Sequence, residues 1–222
     1  VSTSPSFHEN YTLKWANSLQ VPVISVDYRL SPGGAFPKSL DDVYQCYMWL
    51  SKYGKYFFNI NFDEFIFAGD SSGGNLILAL TYLLIFKKEK LPKALFFFYP
   101  ILKVDMNEYS PSYLNSITDT ILEFHLLRYC TDSYCGKNTN NGENVTDTKN
   151  KFLSPIYMDK EVLQYLPPIR IYQGSCDPLR DDCFYFIERM LELNKDILGY
   201  EFKYFPHGFL YFDYKSLFPE CG

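Results

Sequence analysis

Histidine is scarce in this chain, with three in 222 residues, at positions 8, 125 and 207. Any neutral-pH proton transfer that relies on imidazole therefore has three candidates. Positive charge is also in short supply. With 21 Lys and Arg against 26 Asp and Glu, the formal net charge is -5. That balance, with no basic patch, argues against nucleic acid as a partner. No long hydrophobic run exists either: the longest, Leu76 to Phe86, is about half the roughly 20 residues a bilayer span needs, so it predicts a core helix and no transmembrane segment. CxxC pairs are missing. The six cysteines, at 46, 130, 135, 176, 183 and 221, are too sparse for a disulfide scaffold and read as reduced thiols of a cytoplasmic protein. Internal repeats are absent, the sequence starts at Val1 without an initiator Met, and no signal-peptide pattern is expected from these residues. Without a secretory context, the acceptor triplets Asn10-Tyr11-Thr12 and Asn144-Val145-Thr146 carry no weight.

A composition that is 47% hydrophobic over 222 residues suits one substantial core, and the reading is a single domain over 1–222. Amphipathic spacing predicts a helix over His8 to Leu19. Val21 to Val26, rich in β-branched residues, reads as a strand. A Pro- and Gly-punctuated loop spans Asp27 to Lys38, and a helix capped by Ser39 with Asp42 carries Leu40, Val43, Tyr47 and Leu50 on one face. Phe65 to Ala68 and Ala94 to Tyr99 read as buried strands on either side of the Leu76 to Phe86 helix. Ile117 to Tyr129 is expected to be helical, and Gly136 to Lys151 an exposed polar loop. A strand over Ile169 to Gln173, a helix over Asp181 to Asn194, an edge strand over Glu201 to Phe205 and a last helix complete the pattern. Such alternation implies a mainly parallel sheet with helices on both faces, whose ligands gather at the carboxyl ends of the strands.

One stretch stands out at such an end. Gly69-Asp70-Ser71-Ser72-Gly73 fits GxSxG between a predicted strand and a predicted helix, the setting in which glycines relieve close backbone contact and a serine hydroxyl is thrust outward. Ser71 is therefore the candidate nucleophile, and the N–H of Ser72 can face a developing oxyanion. A serine needs a base. His8 and His125 fall in or beside helices, whereas His207 sits in a Pro-His-Gly loop after the last strand. Asp177, just beyond the Ile169 strand, is placed to hold the other ring nitrogen. Asp181 and Asp182 fit a helix's first turn better. The order Ser71, Asp177, His207 is the nucleophile, acid, base order of an α/β-hydrolase.

These residues lie within longer matches: PVISVDYRLSP at 22–32, FPKSLDDVY at 36–44, GDSSGGNL at 69–76, FLSPIYM at 152–158, CDPLRDD at 176–182 and PHGFL at 206–210. Along nearly its whole length the chain resembles the hormone-sensitive-lipase-like family of α/β-hydrolases. The resemblance implies that fold and a serine carboxylic-ester hydrolase (lipase or esterase) with catalytic Ser71, Asp177 and His207. It implies no metal or organic cofactor. The substrate would be a small-molecule or lipid ester, a class compatible with peripheral contact with a lipid surface. Non-catalytic ligand-binding receptors and amidases or peptidases share the fold and remain alternatives. Two departures stand out. Gly33 and Gly34 replace an acidic residue usual in that loop. The family's HGGG oxyanion motif would stand immediately before Val1, so the expectation is an N-terminally partial domain, missing its first strands and weakly active or inactive by itself.

Overall fold

A computed structural model describes residues 4–212 except 106, 109, 118, 120 and 138–146. Four strands, β1 (Ile66–Asp70), β2 (Ala94–Phe98), β3 (Ile169–Gly174) and β4 (Ile197–Phe202), form one parallel sheet in the order β1-β2-β3-β4. The register sets Ile66 against Ala94, Leu95 against Ile169 and Ile169 against Ile197. Alternate residues on one face, Leu95, Phe97, Ile169, Ile171 and Ile197, are buried. They pack on Leu78 of α3 (Ser72–Lys87), on Leu163 of the short α5 (Lys160–Leu163) and on Cys183, Phe186 and Met190 of α6 (Arg180–Glu192). Each fully buried Leu or Phe contributes about 1.5–3 kcal/mol.

Helix α3 is apolar nearly all round because it is covered twice. Leu78 meets the sheet, while Leu76, Ala79, Leu80 and Leu84 meet Leu40, Val43 and Tyr47 of α2 (Lys38–Phe58). It stops at Lys88, whose left-handed backbone turns its N–H back to the carbonyls of Leu84 and Ile85. The opposite sheet face is covered less. There α1 (Glu9–Leu19) lays Trp15 on Phe98, and the stack continues through Tyr172 to Tyr200 with centroids 5.4, 5.0 and 5.0 Å apart. Beyond it Leu198, Tyr200 and Phe202 remain 48%, 45% and 38% exposed. Helices thus lie on both faces.

Four expectations about local structure need correction. Val21 to Val26 has the propensity of a strand but makes no ladder with any described strand, and Val21, Val23 and Ile24 are exposed; β-branched residues fit a pleat only when a partner supplies it. The helix expected over Ile117 to Tyr129 is shifted. A 3-10 turn ends at Ile117, the Asp119 carboxylate accepts the N–H groups of Ile121 and Leu122, and α4 runs Phe124–Tyr134 with Leu127 buried and Leu126 exposed. The edge strand is Ile197–Phe202, earlier than Glu201 to Phe205, because buried Ile197 anchors it against Ile169. The cap assigned to Ser39 and Asp42 does not form: Asp42 takes a bidentate pair with Arg29, and the Ser39 hydroxyl points to Tyr134.

After His207 the described chain holds a 3-10 turn at Phe209–Tyr211, and the expected last helix lies outside the described residues. So does 138–146 of the polar loop; its far end is tied down through Lys149–Glu108 and Lys151–Asp159. Among the described residues no helix is long and apolar enough to cross a membrane, and all five cysteines are free thiols.

Candidate functional site

The carboxyl ends of β1 and β3 and the turn after β4 converge. Ser71 links β1 to α3 with φ 52° and ψ -116°, a backbone that non-glycine residues adopt only when their surroundings hold it there. The holding contacts are explicit. Ser71 N–H donates to Phe98 O at 2.9 Å, and Ser71 O accepts from Ile101 N at 3.1 Å and Asn75 N at 3.3 Å. Asn75 ties the first helical turn to two loops by donating to Ile101 O and Leu153 O, each at 2.9 Å.

Gly69 permits the corner. A Cβ there would lie 2.5 Å from Gly73 O and 2.8 Å from Gly74 N, inside the α3 backbone. Gly73 behaves otherwise, because the nearest atom to a Cβ at that position is Asp70 Oδ1 at 3.9 Å. The close approach therefore uses the backbone of residue 73 and makes no demand on its missing side chain.

His207 Nε2 lies 2.9 Å from Ser71 Oγ, and His207 Nδ1 lies 2.9 Å from Asp177 Oδ2. The second oxygen, Asp177 Oδ1, accepts from Leu179 N at 2.8 Å. With the carboxylate accepting at both oxygens, Nδ1 carries the ring proton and Nε2 accepts from the serine hydroxyl. Asp177 is fully buried and His207 nearly so. The ring of Tyr99 meets the imidazole edge to face at 4.8 Å. Gly174, at the end of β3, lets the chain after β4 come close: a Cβ there would sit 2.2 Å from Phe205 O. Such a relay allows imidazole to take a hydroxyl proton while the carboxylate stabilises the imidazolium.

Ser72 opens α3, so its N–H is one of the first-turn donors that lack an acceptor within the helix. Its hydroxyl is 3.3 Å from that of Tyr28, whose phenol is pushed up by burial. Together they border an apolar recess lined by Leu30, Leu76, Ile101 and Val104.

The competing residues are engaged elsewhere. Asp181 accepts from Ser112 N at 2.8 Å, and Asp182 pairs with Lys103 at 3.2 Å in a buried cluster with Tyr113. His125 is exposed beside Glu123. His8, expected only to lie beside a helix, also comes close to the site: α1 folds over the end of β1, and His8 Nδ1 lies 2.5 Å from Tyr11 O–H and 3.8 Å from Asp70 Oδ1. Sequence reading missed these neighbours of Asp70, as it missed Tyr211, which also donates to that carboxylate. Only Asp70's place inside GxSxG signalled them. Among the described residues no group of three metal-ligating side chains converges.

A profile of the alpha/beta hydrolase fold matches residues 1–211. The chain belongs to the α/β-hydrolase fold family. Within the family, its relatives include those expected from the motifs. It is 31% identical over 144 residues to human hormone-sensitive lipase, covering 65% of this chain and 13% of that protein. It is 30% identical over 174 residues to an esterase of Acinetobacter venetianus, covering 78% of this chain and 52% of the relative. Among solved structures, the hyperthermophilic esterase of Pyrobaculum calidifontis superposes with a TM-score of 0.84 at 26% identity over 96% of this chain and 66% of that one. Carboxyl esterase 2 of Tuber melanosporum reaches a TM-score of 0.87 at 23% identity, over 99% and 69%. The α/β-hydrolase thus spans about half of the esterase relative and a smaller share of the lipase.

Proposed function

We propose that the chain is a hydrolase domain that cleaves carboxylic esters through an acyl-enzyme. The continuous Asp177–His207–Ser71 hydrogen-bond chain, with 2.9 Å at each imidazole nitrogen, carries this reading, and the relatives named esterase and lipase support its substrate class. His207 takes the proton as Ser71 Oγ attacks the ester carbonyl. The charge that develops on the carbonyl oxygen is met by the N–H of Ser72, a kind of donor whose loss costs about 3–4 kcal/mol of barrier in serine hydrolases. His207 Nε2–H then protonates the departing alkoxide. Water, deprotonated by the same nitrogen, releases the acid and restores Ser71. Asp177 holds the ring in the tautomer that permits both transfers. Small-molecule or lipid esters are the proposed substrates and the cytoplasm the proposed location.

Fluorophosphonate labelling tests the reading. Covalent label on the parent that vanishes in Ser71→Ala supports it; a parent without label, or label indifferent to that substitution, overturns it. Comparing an ester with its matched amide separates an esterase from an amidase on the same site.

A further inference from the structure

We propose that Asp70 is a positioning residue: through two tyrosine donors it binds the Ser71 corner to the segment that carries His207 and to α1. The proposal rests on the serine-hydrolase reading above. Asp70 is the last residue of β1, directly before the strained serine, and its side chain is 14% exposed. Its two oxygens have different partners. Oδ1 accepts from Tyr11 O–H at 3.1 Å, and Oδ2 accepts a short hydrogen bond from Tyr211 O–H. Since the Tyr11 proton is given to Asp70, His8 Nδ1–H donates to the Tyr11 oxygen at 2.5 Å.

Tyr211 is the informative partner. It lies four residues beyond His207, its N–H donates to Gly208 O at 3.0 Å, and its ring covers Gly208, which turns the chain with φ 76°. Tyr211 therefore moves with the His207 loop. The backbone of residues 70 and 71 and that of residues 207 to 211 are joined twice, once by the serine–imidazole bond and once by the tyrosine–carboxylate bond. The second bond is made whatever the state of the serine hydroxyl, so it preserves the spacing while Ser71 Oγ is acylated and its bond to Nε2 is absent. Tyr11 extends the same tie to α1, whose Trp15 lies against Phe98. Burial and the Asp70 charge push both phenols up, so they remain donors across the working pH range.

The test uses the full chain and the variants Tyr211→Phe and Tyr11→Phe, which keep the rings and remove one oxygen each. Ser71 phosphonylation is measured at several fluorophosphonate concentrations, with thermal unfolding to set equal folded fractions. A displacement of several tenths of an ångström is expected to slow the maximal labelling rate of Tyr211→Phe about tenfold, leaving the half-saturating concentration within about twofold. Tyr11→Phe should slow it less. The His207 Nδ1–H proton resonance should shift or broaden in Tyr211→Phe, a change that a purely structural strut would not cause. Unchanged maximal rates in both variants, whatever their melting temperatures, overturn the clamp. If the parent is not labelled at Ser71, the hydrolase reading fails first; the clamp then fails too if the His207 resonance is identical in parent and Tyr211→Phe.

Discussion

Replacing Gly69 by alanine should be far more damaging than replacing Gly73, although both are glycines of one GxSxG pentapeptide. At position 69 the new methyl would meet Gly73 O at 2.5 Å, Gly73 C at 2.6 Å and Gly74 N at 2.8 Å. All three are backbone atoms of the first turn of α3, and no rotamer can clear them. Relief needs about 1 Å of extra separation between β1 and α3, which places the cost near the upper end of overpacking, about 3 kcal/mol. The same shift carries Ser71 away from His207 and should slow labelling about a hundredfold. At position 73 the nearest atom is 3.9 Å away, and alanine in a helical turn is favoured by up to about 0.5 kcal/mol. Urea unfolding followed by far-ultraviolet circular dichroism, with fluorophosphonate labelling of Ser71, measures both consequences. A Gly69→Ala protein as stable as the parent, or a Gly73→Ala protein less stable than Gly69→Ala, would refute the argument from close backbone approach.

Asp177→Asn should retain the fold yet lower Ser71 labelling by about 10³–10⁴-fold, since an amide can support the wrong imidazole tautomer; labelling at the parent rate would rule out the orienting role. Lys103→Met removes the cation beside buried Asp182 and should destabilise by about 3–5 kcal/mol at neutral pH. Burial raises the Asp182 carboxyl despite Lys103, so its contribution is present below the unfolded value and lost as pH rises through the folded one. The gap between variant and parent should therefore narrow as pH falls, and a gap that widens in acid contradicts this. Among the described cysteines, exposed Cys176 should react first with iodoacetamide at pH 8, because burial pushes Cys135 up to about 11 and Cys183 well above the ordinary thiol value. Mass spectrometry finding Cys135 or Cys183 modified as fast as Cys176 in the folded protein would count against that order.

Local geometry was legible in the sequence. An apolar run before GxSxG and an apolar helix after it already specify a strand-to-helix corner, and the scarcity of histidine narrowed the choice to His207. Contacts supplied by distant chain were not legible. Val21 to Val26 has the residues of a strand, but no described strand pairs with it. Asp42 could have capped Ser39, yet it lies within reach of Arg29 across a turn. Asp119 withdrew two N–H groups from the helix expected around it. Asp70 meets tyrosines 59 and 141 positions away, which no periodicity reveals. Gly73 shows the limit of motif reading itself: the pattern is right, but the steric demand falls on Gly69 alone of the pair.

The ring of Trp15 lying flat on Phe98 has a spectroscopic consequence. The chain contains only one other tryptophan, Trp49, which is 40% exposed. In a Trp49→Phe background, emission from the remaining indole would report whether α1 is seated, shifting to longer wavelength if that helix lifts into water. A single optical signal would then follow the arm that reaches Asp70, without a probe attached near the serine.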